Sequence, residues 1–149
     1  LSAIIGDMTR REGEVTVKGS IAYAPQNPWI LSATIRENIL FSHEYDETFY
    51  NMVVEACVLT PDFALLPHGD ATEVGEKGIT LSGGQRAHIE LARAVYALTG
   101  LVLLDGCLAA ADSHVARHIF SACSALHCFA LALIDCYSPS HWSPRYTCK

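Results

Sequence analysis

Residues Leu81–Gly106 read LSGGQRAHIELARAVYALTGLVLLDG. Ser82-Gly83-Gly84-Gln85 has the S-x-x-Q form of a capping box, in which the serine hydroxyl caps a helix and the glutamine folds back to the serine amide. Ile89, Ala92, Val95 and Tyr96 follow at helical spacing and make one apolar face. Gly100 is placed to stop that helix. Leu101–Leu104 is too short for a second helix and is unbroken by polar residues. It reads as a strand buried on both faces of a parallel sheet. Asp105 then falls at the carboxyl end of the strand, where α/β sheets place their ligands, and Gly106 follows it.

The chemistry of this block points to phosphate and magnesium. A helix N-terminus built from glycines offers unpaired N–H groups and a positive dipole end, hence an anion site. An acid at a strand tip is suited to holding Mg²⁺. Each signal alone is weak. A Ser-Gly-Gly helix start is most often a plain cap, and an apolar strand ending in Asp is usually a core strand meeting a turn. The order and spacing of the set carry the weight.

Upstream, GEVTVKGSIAYAPQ alternates Val15 and Val17, then Ile21 and Tyr23, around Gly19. That predicts two short strands about a turn, the second closing at Pro25-Gln26. In LSATIRENILF, Ser32 is a candidate cap for a short helix. DETFYNMVVEACV places Phe49, Met52, Val53 and Cys57 on one helical face. Thr60 to Thr80, with Pro61, Pro67, Gly69, Gly75 and Gly78, reads as loop. Leu1–Ile5 reads as the tail of a helix.

Composition bounds the rest. The chain has 149 residues, is half apolar and carries a formal charge of -6, which fits a globular domain with a real core. A nucleic-acid binder would carry a basic footprint, so no nucleic-acid partner is expected. His118 to Ile134 lacks Asp, Glu, Lys and Arg, but 17 residues at about 1.5 Å each fall short of a roughly 30 Å hydrocarbon core. No transmembrane segment is expected. Residues 121–149 hold only three charged residues, Asp135, Arg145 and Lys149, yet four of the six cysteines. Such a shift marks a boundary. Cys57 and Cys107, the two cysteines before it, imply a reducing compartment and no disulfide framework.

Gln26 after two strands, the LSGGQ turn, a helix of about four turns, then the strand and Asp105 together resemble the ATPase domain of ABC transporters. IAYAPQNPWILSATIRENILF looks like that family's Q-loop segment with Gln26 as its glutamine, and GEKGITLSGGQRAHIELARAVY resembles the signature segment. LVLLDG stands where the Walker B strand belongs. CLAAADSHVARHIF resembles the D-loop and its helix, with Asp112 as the D-loop aspartate. The wording is most similar to the class C, multidrug-resistance-associated transporters, particularly their first ATPase domain.

The resemblance implies an α/β fold: part of a P-loop-type ATPase core with a mostly parallel sheet, plus a helical subdomain carrying the signature loop. It implies ATP and Mg²⁺ as cofactors. It implies a second ATPase domain as partner in an ATP sandwich, and transmembrane domains of an exporter, with the ATPase domain on the cytoplasmic face of the membrane. Ser82, Gly83, Gly84 and Gln85 would form the nucleotide-binding turn, touching the γ-phosphate of ATP held by the partner. Gln26 would contact Mg²⁺ or the attacking water, and Asp105 would hold the metal.

The sequence departs from the family pattern in four places. No G-x-x-x-x-G-K-[ST] occurs, so the chain reads as a fragment that binds nucleotide poorly alone. Gly106 stands where the family has its catalytic carboxylate, and glycine can neither orient nor deprotonate a water. His88 replaces a residue that is usually basic, a change expected to lie on the surface. After the strand-like Phe129–Ile134 comes Asp135 with no adjacent histidine, and His141 is too late to match the switch histidine.

Residues 1–120 are thus expected to form a partial ATP-binding domain, and 121–149 a diverged cysteine-rich tail outside the family fold. Cys123, His127, Cys128, Cys136, His141 and Cys148 lack the paired spacing of a zinc knuckle. His43, His68, His114 and His118 read as exposed, while Trp29 and Phe41 are either partner-facing or core. A sheet without the strand before the phosphate loop is expected to leave Leu101–Leu104 short of a neighbour. Three readings stay open: an ATPase domain coupling hydrolysis to export, a non-hydrolysing module lending its signature loop, and a nonfunctional truncated product.

Overall fold

The computed structural model describes residues 5, 6, 8, 9, 11–14, 16, 19–76, 79–108 and 113–126, and the backbone of 130–134. The helix tail expected at Leu1–Ile5 and the strand around Val15 and Val17 lie largely or wholly outside these residues, as does the pattern at 135–149.

Among the described residues, three parallel strands form the central sheet in the order β1 (Ile21–Ala24), β4 (Leu101–Asp105), β5 (Ala130–Ile134). Tyr23 pairs with Leu103 and Asp105 with Ile134. Val102, Leu103 and Leu104 are buried, so the unbroken apolar run is a middle strand covered on both faces. The expectation that Leu101–Leu104 lacks a neighbour is therefore corrected: β4 is flanked on both sides.

Between β1 and β4 the chain builds a helical layer. A two-stranded antiparallel ribbon, β2 (Ala33–Thr34) with β3 (Glu73–Val74), frames α1 (Ile35–Leu40), α2 (Glu47–Ala56) and α3 (Thr60–Leu65). Helix α1 is capped by Thr34 and not by Ser32. Thr34 has Glu37 three residues on and closes a full capping box. Ser32 instead accepts a bond from the Glu76 amide at 3.2 Å. Its backbone comes so close to Gly75 (φ +94°) that a Cβ there would stand 2.9 Å from the Ser32 Cα.

Helix α2 buries Tyr50, Val53, Val54 and Ala56, followed by Cys57, while Met52 is 46% exposed. The expected face is thus rotated by part of a turn. Tyr50 can turn inward because its hydroxyl donates to Asp70 at 2.9 Å. Within the stretch read as loop, Thr60–Leu65 is helical with Pro61 in its first turn, where a missing N–H costs nothing.

The long helix α4 (Gly83–Tyr96) returns to the sheet with Ile89, Leu91, Ala92, Val95 and Tyr96 buried. Its end differs from expectation. Ala97 is the C-cap and Leu98 takes the left-handed conformation (φ +47°), so the helix stops before Gly100 is reached. Helix α5 (Ser113–Leu126) packs against α2 and runs through the compositional change at residue 120 without a break. Its Cys123 is buried beside Cys57 of α2, and both are free thiols.

Candidate functional site

Of the residues singled out above, Gln26, Gly83 and Gly106 meet at the carboxyl edge of the sheet, while Ser82, Gly84, Gln85 and Asp105 are not part of the lining they share. β1 and β4 run parallel with Ala24 beside Leu104, so the segment after β1 and the end of β4 emerge at the same edge. Gln26, Asn27 and Pro28 from the first join Gly106 and Cys107 from the second and Gly83, Arg86 and Ala87 from the start of α4. Together they line a cavity of about 300 Å³. A larger cavity of about 830 Å³ lies between α2, α3 and α5 and carries none of the expected site residues.

At the head of α4 the capping box is complete. The Gln85 amide donates to Ser82 Oγ at 3.1 Å, and the Ser82 amide donates to Gln85 Oε1 at 2.9 Å. Ser82, Gly83 and Gly84 are exposed. A Cβ built on Gly83 would meet nothing within 4 Å. Among the described residues no packing asks for glycine there, and the start of the helix is open to solvent.

Gln26 is exposed, and its Cγ would lie 3.7 Å from a Cβ at residue 106. Gly106 itself has φ +62°, a conformation that costs an L side chain about 1–2 kcal/mol. Asp105 is half-buried, and its Oδ2 accepts from the Tyr23 hydroxyl at 3.0 Å. Mg²⁺ keeps several waters and takes one or two carboxylates beside phosphate oxygens. A single strand-tip Asp fits that demand if phosphate and water supply the rest. Among the described residues, no cluster of three His, Cys, Asp or Glu is arranged to hold a metal. Asp112, His141 and most of the tail cysteines and histidines lie outside the described residues.

Three groups escaped the sequence reading. Tyr23 holds Asp105 across 82 residues of sequence. Asp62 of α3 accepts from Gln85 Nε2 at 3.1 Å and so grips the residue that closes the capping box. Arg93 of α4 is buried with Glu90, one turn earlier, at 2.8 Å. Its guanidinium also donates to the Asn38 carbonyl at 2.7 Å and to Asn38 Oδ1 at 3.1 Å, and it stacks 3.8 Å from the centre of the Trp29 ring. This clamp ties α4 to the segment that follows Gln26. Burial pushes the Glu90 carboxyl above its usual range, against the pull of Arg93. A Glu and Arg at i, i+3 inside an apolar helix face was the available signal.

His88 is not on the surface as expected. It is half-buried, its Nδ1 has no hydrogen-bond partner among the described residues, and the Asp62 carboxylate stands 4.0 Å away. Burial lowers its pKa despite that carboxylate. His43, His68, His114 and His118 are exposed as expected. Trp29 and Phe41 are 40% and 44% exposed, with their rings edge to face at 5.4 Å.

A family model described as ABC transporter matches residues 1–109. The chain is 57% identical over 119 residues to the metal resistance protein YCF1 of Saccharomyces cerevisiae, covering 80% of this chain and 8% of that protein. It is 53% identical over 121 residues to ATP-binding cassette sub-family C member 2 of Mus musculus, covering 81% and 8%. It is 52% identical over 120 residues to sub-family C member 3 of Homo sapiens, covering 80% and 8%. The chain therefore belongs to the ABC transporter family, as part of an ATPase domain of class C. That family's domain has the P-loop ATPase fold, with which the small parallel sheet and its helices are compatible, and it binds ATP, generally with Mg²⁺. The chain spans about a twelfth of the length of these relatives.

Proposed function

We propose that this chain works in an ATP sandwich by offering its signature turn to nucleotide held on a second ATPase domain, and that the pair drives export through transmembrane domains. The observation that carries this reading is the outward-facing start of α4. Ser82, Gly83 and Gly84 are exposed, their helix is closed by its own capping box, and among the described residues nothing stands within 4 Å of a Cβ on Gly83. Free N–H groups at a helix start are an anion site waiting for a phosphate from outside.

In this proposal the helical layer α1–α4 is the subdomain that carries the signature turn. Ser82 and the Gly83 and Gly84 amides bind the γ-phosphate of the partner's ATP, with Gln85 keeping the turn closed. Gln26 would offer its amide to the metal or the attacking water, and Asp105, oriented by Tyr23, would hold the metal. ATP supplies the phosphoryl group and Mg²⁺ neutralises its charge; the protein contributes position and fixed dipoles. Gly106 has no carboxylate, so this chain's own residues do not activate a water at that place. Non-hydrolysing assistance to a partner fits this chain better than hydrolysis by it.

Among the described residues no helix is long and apolar enough to cross a membrane, so membrane association in this proposal comes through the transporter. The partition at residue 120 is kept as a proposal about relatedness alone, since the family match ends at 109 while α5 continues to Leu126.

Calorimetric titration of the chain with Mg-ATP tests where the nucleotide is held. No G-x-x-x-x-G-K-[ST] cradle is present in it, so no saturable binding is expected at millimolar nucleotide. A micromolar dissociation constant would mean that the chain holds ATP itself.

A further inference from the structure

The signature turn is held by more than its own cap. Gln85 uses both ends of its side-chain amide: Oε1 accepts from the Ser82 amide at 2.9 Å, and Nε2 donates to Asp62 Oδ1 at 3.1 Å. Asp62 sits in the first turn of α3, whose Pro61 sets the backbone there. We propose that Asp62 is a positioning residue for the signature turn, acting through Gln85 to set the direction in which the Ser82–Gly84 amides face. The inference deepens the phosphate-binding reading of that turn and rests on it.

Three features support a brace and not an incidental contact. The bond joins two helices across 23 residues of sequence, so it fixes α4 against α3 as well as within its own turn. It also settles the orientation of the Gln85 amide, since only the NH₂ end can face a carboxylate and only the oxygen can face the Ser82 N–H. And it is charge-assisted, which makes it stronger than a neutral pair and more directional. Where a glycine turn is exposed, as at Gly83 and Gly84, such an anchor decides how much the turn wanders.

A substitution at Gln85 separates this brace from simple capping, because the two make opposite demands. Gln85→Glu keeps an oxygen for the Ser82 amide and adds negative charge at a helix start. A capping role alone therefore predicts a neutral or favourable change. The brace predicts the reverse: the donor to Asp62 is lost and two carboxylates face each other. Asp62→Asn in the same chain then restores a donor–acceptor pair with the bond reversed.

The test is NMR measurement of solvent exchange at the Ser82 and Gln85 amides in the full chain. Gln85→Glu is expected to speed both about five- to tenfold, the equivalent of one hydrogen bond. The double variant should return to within about twofold of the parent, and Asp62→Asn alone should stay near it. Unchanged exchange in Gln85→Glu, no recovery in the double variant, or lost protection along the whole of α4 would each overturn the proposal.

ATP-dependent association with an intact ATPase domain gives the second readout. It should weaken in Gln85→Glu and recover in the double variant. Association that ignores both changes would overturn the positioning role. A parent chain that never associates would instead remove the phosphate reading, with the exchange result still deciding the brace.

Discussion

Arg93→Ala should be the most damaging single change in the helical layer. The Glu90 side chain is 2% exposed, and Arg93 is the cation beside it. Removing one partner of a buried ion pair leaves an uncompensated charge and typically costs about 3–5 kcal/mol. Loss of the guanidinium from the Trp29 and Phe41 rings adds about 0.5–2 kcal/mol. The Asn38 carbonyl loses its 2.7 Å donor as well.

The damage should depend on pH. Burial already raises the Glu90 carboxyl, and a carboxyl raised on folding loses stability as pH climbs from its unfolded value, about 4.3, through its folded one. Without Arg93 that window moves further up. Urea unfolding followed by circular dichroism should therefore give a deficit of about 3–5 kcal/mol for Arg93→Ala at pH 8 and a smaller one at pH 5. Glu90→Gln with Arg93→Met, which removes both charges and keeps much of the volume, should regain most of it. A deficit below about 1 kcal/mol at pH 8, of the size expected for a surface pair, or one that does not change with pH, would refute the account of the clamp.

Tyr23→Phe should cost about 1 kcal/mol by removing the donor to Asp105; an unchanged urea midpoint would show that the bond contributes nothing. Gly106→Ala should cost about 1–2 kcal/mol because of the left-handed backbone, with no added clash since Gln26 Cγ stands 3.7 Å away. A neutral thermal melt would contradict that conformation. His88 has its pKa lowered by burial, so the unfolded chain binds its proton more readily and stability should fall as pH drops below about 6.5. His88→Gln should flatten that part of the pH profile, and a profile identical to the parent's would assign it to other groups.

How much was legible follows from the range of each interaction. The Ser82–Gln85 box and the β4 strand were readable because each is written in a few consecutive residues. Thr34 was readable by the same rule, since Glu37 stands three residues after it and nothing comparable follows Ser32. Pro61 looked like a loop marker but serves equally as a helix start. The stop at Leu98 could not be read, because Gly100 had the better intrinsic claim, while the residue that takes the left-handed turn is an exposed leucine. The hydroxyl of Tyr50 finds Asp70, the side-chain amide of Gln85 finds Asp62, and the carboxylate of Asp105 finds Tyr23. These partners lie 20, 23 and 82 residues apart, and no local pattern announces them.

The central claim is that the signature turn of this chain completes a nucleotide site on another ATPase domain. Sedimentation of the chain mixed with an intact ATPase domain, made slow to hydrolyse by removing its catalytic carboxylate, tests it most directly. The account predicts a complex that forms with Mg-ATP, dissolves when the nucleotide is removed, and is lost when Ser82→Phe fills the open face at the start of α4. A complex indifferent to ATP, or one that survives Ser82→Phe unchanged, would contradict it.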